Sequence, residues 1–308
     1  MKQDTRFFYE DIVRTAITRI ADGLDEALNL TELAKLAALS PLHFHRIFRG
    51  MLGETPLELH RRLRLERAAS RIASTDASIT TIAFDAGYET HESFTRSFRA
   101  AYSLSPSEFR ERSEEARRTA TQAPSVVLAA RSGIHVSRSI PSLHQLPYLQ
   151  GDIRMNVEVT SMPDMRVATV SHIGPYNRIS EAFERLGMLA GPAGLFAQPD
   201  AIMLAIYHDD PDTTPAEKLR SEAGVVVPAG VPLPSSLNEV HIPAGTYALT
   251  THLGPYSQLG DTWARLMGDW LPKSGRRVGP GTAYEIYRNN PANAKPEDLH
   301  TDLFLSVT

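Results

Sequence analysis

The chain has 308 residues, which at roughly 150 residues per domain predicts two domains. With 42% hydrophobic residues it can build ordinary cores, and a net charge of −4 excludes a protein that is basic throughout. Cysteine is absent, which excludes disulfides, thiolate zinc sites, iron–sulfur clusters and cysteine nucleophiles together. The first residues, MKQDTRFFYEDIVRT, carry acids at Asp4, Glu10 and Asp11 and no apolar core of a signal peptide. No apolar run approaches the ~18 residues of a membrane span, so a soluble, cytoplasmic chain is expected.

Charge divides unevenly along the chain. Residues 1–122 hold 18 Lys+Arg against 18 Asp+Glu, and the remainder, with 14 against 18, carries the whole excess of −4. Residues 42–71 hold seven arginines and three acids. An arginine-rich stretch of this kind suits phosphate contact, but a charge run alone favours a solvated helix face.

Apolar spacing predicts a first helix over 8–21, with Phe8, Ile12, Ala16, Ile17 and Ile20 on one face. Asn29 or Thr31 can cap the short helix TELAKLAAL. Ser40–Pro41 supplies a cap and a first-turn proline for LHFHRIFRGML, whose apolar side is Phe44, Ile47, Phe48 and Met51. Its opposite side carries His45, Arg46 and Arg49. A longer helix follows Pro56, with Leu59, Leu63, Ala69 and Ile72 inward.

The pattern then recurs. ITTIAFDAGYETHESFTRSFRAAY echoes LTELAKLAALSPLHFHRIFRGML, with Leu33, Ala34, Ala37 and Leu39 matched by Ile82, Ala83, Ala86 and Tyr88. Phe44, Arg46, Phe48 and Arg49 are likewise matched by Phe94, Arg96, Phe98 and Arg99. Each copy predicts a short helix, a tight turn (Gly87 in the second) and a helix with a polar outer side, the helix-turn-helix plan.

Residues 8–112 resemble the DNA-binding domain of AraC/XylS-type transcription regulators, on the strength of LAKLAALSPLHFHRIFRGMLGETP, RLRLERAASRIASTDASITTIAFDAGYET and HESFTRSFRAAYSLSPSEFR. The resemblance implies an all-α tandem helix-turn-helix whose two recognition helices read successive major-groove segments. It places Leu42, His45 and Arg46 on base edges from the first helix, and His91, Glu92, Ser93, Thr95 and Arg96 from the second. The chemistry agrees: arginine can bond guanine bidentately and glutamate can accept from cytosine. Arg49, Arg61 and Arg99 suit phosphates, which position the protein without specifying sequence. For Arg46 the alternative is a surface salt bridge.

Residues 113–152 lose any steady period and read as a linker, with a strand expected around Val126–Ala130 or Gly133–Val136. Beyond it a second repeat keeps one offset of 80 throughout. VATVSHIGPY (167–176) matches YALTTHLGPY (247–256), AIYHDDP (205–211) matches EIYRNNP (285–291), and Val225–Val227 matches Leu305–Val307. Each half predicts strand, strand, a His-x-Gly-Pro-Tyr turn, helix, strand, strand. The helices are ISEAFERLGML and QLGDTWARLMGDWL, the second with Leu259, Trp263, Leu266 and Trp270 inward. Two such units about a pseudo-twofold axis leave a groove between them.

Residues 153–308 resemble the GyrI-like effector-binding domain, through HIGPY, HLGPY, GDWLPKSG and GTAYEIYRNNP. The resemblance implies an α+β duplicated fold whose groove holds small, often lipophilic and cationic molecules, recognised by a buried glutamate among aromatics. The matching carboxylate is Glu285, and its counterpart in the first half is Ala205. A carboxylate on one side of the axis gives such a groove one cation in one orientation. Tyr256, Trp270 and Tyr287 are the expected lining residues, with Tyr176 and Tyr207. The alternative for Glu285 is a strand-surface carboxylate beside Arg288 or Lys273.

His172 and His252 occupy equivalent repeat positions, which favours a turn role made twice over a metal site. Asp209-Asp210-x-Asp212 has cation-site spacing but sits in a proline-rich loop. No metal, no cofactor and no catalytic residue is expected. The sequence therefore predicts a transcription regulator, not an enzyme, with double-stranded DNA, a small-molecule effector and RNA polymerase as partners and no membrane. A small-molecule hydrolase and a protein-binding module are the alternatives for the second half.

Overall fold

The computed structural model describes residues 2–136, 155–197, 201–209, 211 and 214–308. Asp210 and Asp212 of the proline-rich loop lie outside them. By internal contacts the chain forms two compact units. One joins Met1–Tyr9, Ala34–Met51 and Asp152–Thr308; the other joins Glu10–Leu33 and Leu52–Gly151. No helix of the described residues is long and apolar enough to cross a membrane.

Among the described residues, seven helices fill the N-terminal part, the last of them running into the expected linker: α1 (Lys2–Asp22), α2 (Leu30–Leu36), α3 (Pro41–Leu52), α4 (Pro56–Ser74), α5 (Ile79–Asp85), α6 (His91–Tyr102) and α7 (Pro106–Thr119). The first begins at Lys2 instead of Phe8, and the last runs on to Thr119. Their starts are chemically specified. Thr55 Oγ1 accepts from the Glu58 amide at 3.2 Å while Glu58 accepts from the Thr55 amide at 2.7 Å, a capping box followed by Pro56. Ser105 and Glu108 repeat the device before Pro106. Thr90 caps α6 through Ser93, Ser78 caps α5 through Thr81, and the Ser40 hydroxyl accepts from the His43 amide.

The two helix-turn-helix copies turn on equivalent residues, Ala38 (φ +53) and Gly87 (φ +75). A Cβ is penalised in this left-handed region and its absence is not. Ala38→Gly is therefore expected to raise stability by about 1 kcal/mol, and Gly87→Ala to lower it by at least about that much. The second change also drives a Cβ into the Arg64 guanidinium, 1.6 Å away as placed. Urea unfolding of the two variants checks both signs.

In the unit that holds α4–α7, Leu65, Ala69, Ile72, Ile82, Phe94, Phe98 and Phe109 form one core. The expected linker strands are absent: neither 126–130 nor 133–136 is a strand. Their backbone groups bond to side chains of α4 and α6 instead of a ladder. Glu66, 3% exposed, accepts from the Leu128 amide (3.0 Å), the Val136 amide (3.4 Å) and Arg62 (3.0 Å), and lies 2.9 Å from His135 Nδ1. Arg62 also donates to the Ile134 carbonyl and, bidentately, to Glu54, and the Tyr102 hydroxyl donates to the Val126 carbonyl. Glu66→Ala leaves Arg62 with Glu54 as its remaining carboxylate and takes the acceptor from the Leu128 amide. It is expected to cost about 1–3 kcal/mol and to open 126–136 to limited proteolysis.

Among the described residues, the other unit is built on eight strands: β1 (Glu158–Met162), β2 (Met165–Ile173), β3 (Met203–Tyr207), β4 (Arg220–Val226), β5 (Asn238–Ile242), β6 (Gly245–Leu253), β7 (Tyr284–Tyr287) and β8 (His300–Ser306). They form one sheet in the order β1-β6-β8-β7-β3-β4-β2-β5. Helix α8 (Ser180–Ala190) lies between β2 and β3. Helix α9 (Leu259–Arg265), a π-helical turn (Leu266–Trp270) and α10 (Leu271–Ser274) lie between β6 and β7. The predicted strand–strand–turn–helix–strand–strand order holds in both halves.

The order is symmetric about the β3–β7 pair, where Leu204 faces Ile286, Ala205 faces Glu285 and Ile206 faces Tyr284. With the repeat offset of 80, this register puts the pseudo-twofold axis between Ala205 and Glu285. The first strands are exchanged: β1 pairs with β6 of the second half, and β5 pairs with β2 of the first. Strand alternation sends Leu204, Ile206, Tyr284 and Ile286 to one core with Tyr247 and Phe304. It sends Ala205, Tyr207, Glu285 and Tyr287 to the opposite face. On that face Leu186 and Ala190 of α8 pack on Ala168, Val170 and Val225.

Candidate ligand-binding site and recognition helices

Glu285 is 2% exposed. It is thus no strand-surface carboxylate, and the cations suggested beside it are engaged elsewhere: Arg288 with Asp302 and Lys273 with Asp269. Each of its oxygens receives a neutral donor. The Trp263 indole N–H reaches Oε1 at 2.6 Å and the Tyr287 hydroxyl reaches Oε2 at 2.8 Å. Tyr207 lies 2.8 Å from Tyr287, oxygen to oxygen. Because the Tyr287 proton is committed to Glu285, Tyr207 donates in that pair. Burial pushes the Glu285 carboxyl above the usual range, against the two donated hydrogen bonds and the nearby Arg46 and His252 charges. Burial, with the Glu285 charge, holds both tyrosine hydroxyls well above their ordinary values.

The aromatic wall follows the repeat. Tyr176 packs edge-on to Tyr207 and Tyr256 edge-on to Tyr287, at centroid distances of 4.7 and 5.3 Å. Their hydroxyls donate to equivalent carbonyls, Asp209 and Asn289. Phe183 stands edge-on to Tyr287 at 5.5 Å. Trp270 is half-buried on the π-helical turn. The carboxylate's indole partner is Trp263, a residue whose spacing alone predicts core packing. A signal existed: at the same offset its counterpart is Phe183, so the half that gains Glu285 also gains the N–H that bonds it.

His172 and His252 do the turn work twice. Each places Nε2 against a proline carbonyl, Pro175 at 3.3 Å and Pro255 at 3.2 Å. The glycines that follow, Gly174 and Gly254, have φ of +142 and +126. The described residues contain no cluster of three metal-ligating side chains.

Helix α3 belongs, with residues 34–51, to the same unit as the sheet. Leu42 and His45 are each only 6% exposed. The Arg46 guanidinium lies over the Trp263 ring, 4.0 Å from its centroid, and Arg49 pairs with Asp261 at 2.6 Å. Gly50 meets Gly268 backbone to backbone. A Cβ on Gly50 would lie 1.9 Å from the Ala264 carbonyl, and one on Gly268 would lie 2.3 Å from Gly50. Beside Arg46, burial and that positive charge push His43 down to about 4, so it is neutral at pH 7. In the other unit, His91, Glu92, Arg96 and Arg99 of α6 are exposed and Ser93 and Thr95 partly so. Arg99 stands 3.7 Å from Glu108.

The chain thus combines a duplicated sheet that holds one buried, aromatic-walled carboxylate with a tandem helix-turn-helix. Residues 155–308 match the GyrI-like small molecule binding domain, and residues 33–112 match a helix-turn-helix domain. The chain belongs to the GyrI-like family, and its helical part to the AraC-type regulators that include SoxS. The DNA gyrase inhibitor of Escherichia coli (strain K12) is 29% identical over 157 residues, which cover 50% of this chain and 96% of that protein. The regulatory protein SoxS of Salmonella typhimurium is 34% identical over 104 residues, 34% of this chain and 97% of that one. Among solved structures, the EcmrR C-terminal domain is similar with a TM-score of 0.44 at 20% identity, over 50% of this chain and 98% of that one. A hydrolase from Listeria innocua gives 0.38 at 16% identity, over 50% and 93%.

Proposed function

We propose that this chain is a transcription regulator whose DNA affinity is set by a cationic, aromatic or lipophilic effector bound at Glu285. The observation that carries the reading is the carboxylate itself. It is buried on the pseudo-twofold axis, held by two neutral donors and walled by Trp263, Tyr207, Tyr287 and Tyr256. Desolvating a carboxylate is costly unless a positive charge compensates it. Indole and phenol faces reward the same charge by about 0.5–2 kcal/mol each. Bound here, a cation is held without turnover.

Arg96 and Glu92 on α6, and Arg46 on α3, carry the base-reading chemistry, with Arg49 and Arg99 on phosphates. His91, Ser93 and Thr95 complete the proposed DNA surface of α6, whereas Leu42 and His45 of α3, each 6% exposed, do not face out as α3 is seated. The test is thermal unfolding of the full chain with a series of organic cations and their neutral isosteres. A cation at 100 times its Kd raises stability by about 2.7 kcal/mol, and the neutral partner leaves it unchanged. Equal shifts for cation and isostere contradict the reading.

A further inference from the structure

Resting on that reading, we propose that Arg46 is the pocket's internal ligand, so that filling the pocket with an external cation and releasing α3 for DNA are one event. Four observations converge. Arg46 stacks on Trp263 at 4.0 Å, the same ring whose N–H holds Glu285. Its charge acts on both Glu285 and Tyr207 of the buried cluster. Gly50 and Gly268 let α3 approach the π-helical turn with backbone against backbone, an approach no larger residue permits. Arg49 on Asp261 closes the same face.

The consequence is geometric. Arg46 is the residue of α3 best suited to guanine, and Arg49 suits phosphate. With the first over an indole and the second on a carboxylate, α3 presents neither to a major groove. A side chain cannot serve the indole and a base edge at once, so the two occupancies exclude each other. The internal ligand also describes its competitor. A guanidinium is planar, delocalised and weakly hydrated, so the effector class is a planar delocalised cation carrying an apolar group. By linkage, whatever displaces Arg46 gains DNA affinity for the chain, and DNA gains effector affinity by the same factor.

Phenylguanidinium is the probe, and phenylurea is its neutral isostere. Binding to the full-length chain is read by quenching of tryptophan fluorescence, since one of the two tryptophans is Trp263. Arg46→Met removes the competitor and leaves Glu285 untouched. Gly268→Ala instead pries α3 away while keeping Arg46. Both variants are expected to bind phenylguanidinium at least tenfold more tightly than the native chain, and phenylurea is expected to bind none of the three. Equal phenylguanidinium affinity in all three chains overturns internal ligation and leaves the cation site standing. Failure of phenylguanidinium to bind any of them overturns the cation site, and the inference with it.

Discussion

Glu285→Gln is expected to abolish cation-dependent stabilisation while leaving the fold intact. Glutamine is isosteric, and its carbonyl still accepts from the Trp263 N–H now 2.6 Å from Oε1. What disappears is the charge. A charge-assisted contact inside a desolvated site carries about 2–5 kcal/mol, so affinity for a cation falls by about 30-fold or more, with neutral isosteres unaffected. The pH dependence has a definite sign. Burial raises the Glu285 carboxyl above its ordinary value, and only the ionised form pairs with a cation. Cation affinity therefore weakens as pH falls through that raised value and recovers as pH rises above it. In Glu285→Gln the profile is flat across the same range. Titration calorimetry over a pH series that starts at the ordinary carboxyl range and rises from it reads both.

The second large effect concerns DNA. With saturating effector, where α3 is released, Arg46→Ala combined with Arg96→Ala is expected to cost about 2–6 kcal/mol in specific binding, since a bidentate arginine–guanine contact supplies about 1–3 kcal/mol. Discrimination is lost at two positions separated along one face of the duplex. Duplexes selected from a randomised pool by the native chain provide the target. Arg99→Ala, by contrast, weakens all sequences alike and reduces the salt slope by about one. Retention of both affinity and sequence preference in the double variant removes the recognition assignment.

Much of this was legible before any coordinates, for reasons that lie in particular residues. Ser40–Pro41 and Pro56 announce two helix starts locally, and α3 and α4 begin there. The constant offset of 80 locates the axis, and the asymmetry of Ala205 and Glu285 locates the carboxylate on it, as their facing positions in β3 and β7 bear out. Three things were not legible. The exchange of β1 and β5 between halves leaves no trace, because each strand keeps its own alternation whichever neighbour it joins. Linker residues 126–136 look strand-like, yet they satisfy their backbone on Glu66, Arg62 and Tyr102. The seat of α3 depends on Gly50 and Gly268, far apart in sequence, where the signal is a missing side chain. The polar outer side that reads as a DNA surface is the side whose Arg46 and Arg49 meet Trp263 and Asp261.

The central claim is that occupancy of the Glu285 pocket sets DNA affinity, and one linkage measurement tests it most directly. Fluorescence anisotropy of a selected duplex is followed with the full chain, with and without saturating phenylguanidinium, in the native protein and in Glu285→Gln. The account predicts at least a tenfold gain in DNA affinity on adding the cation to the native chain, and none in the variant. An unchanged affinity in the native chain with the pocket demonstrably filled, or an equal gain in Glu285→Gln, contradicts it.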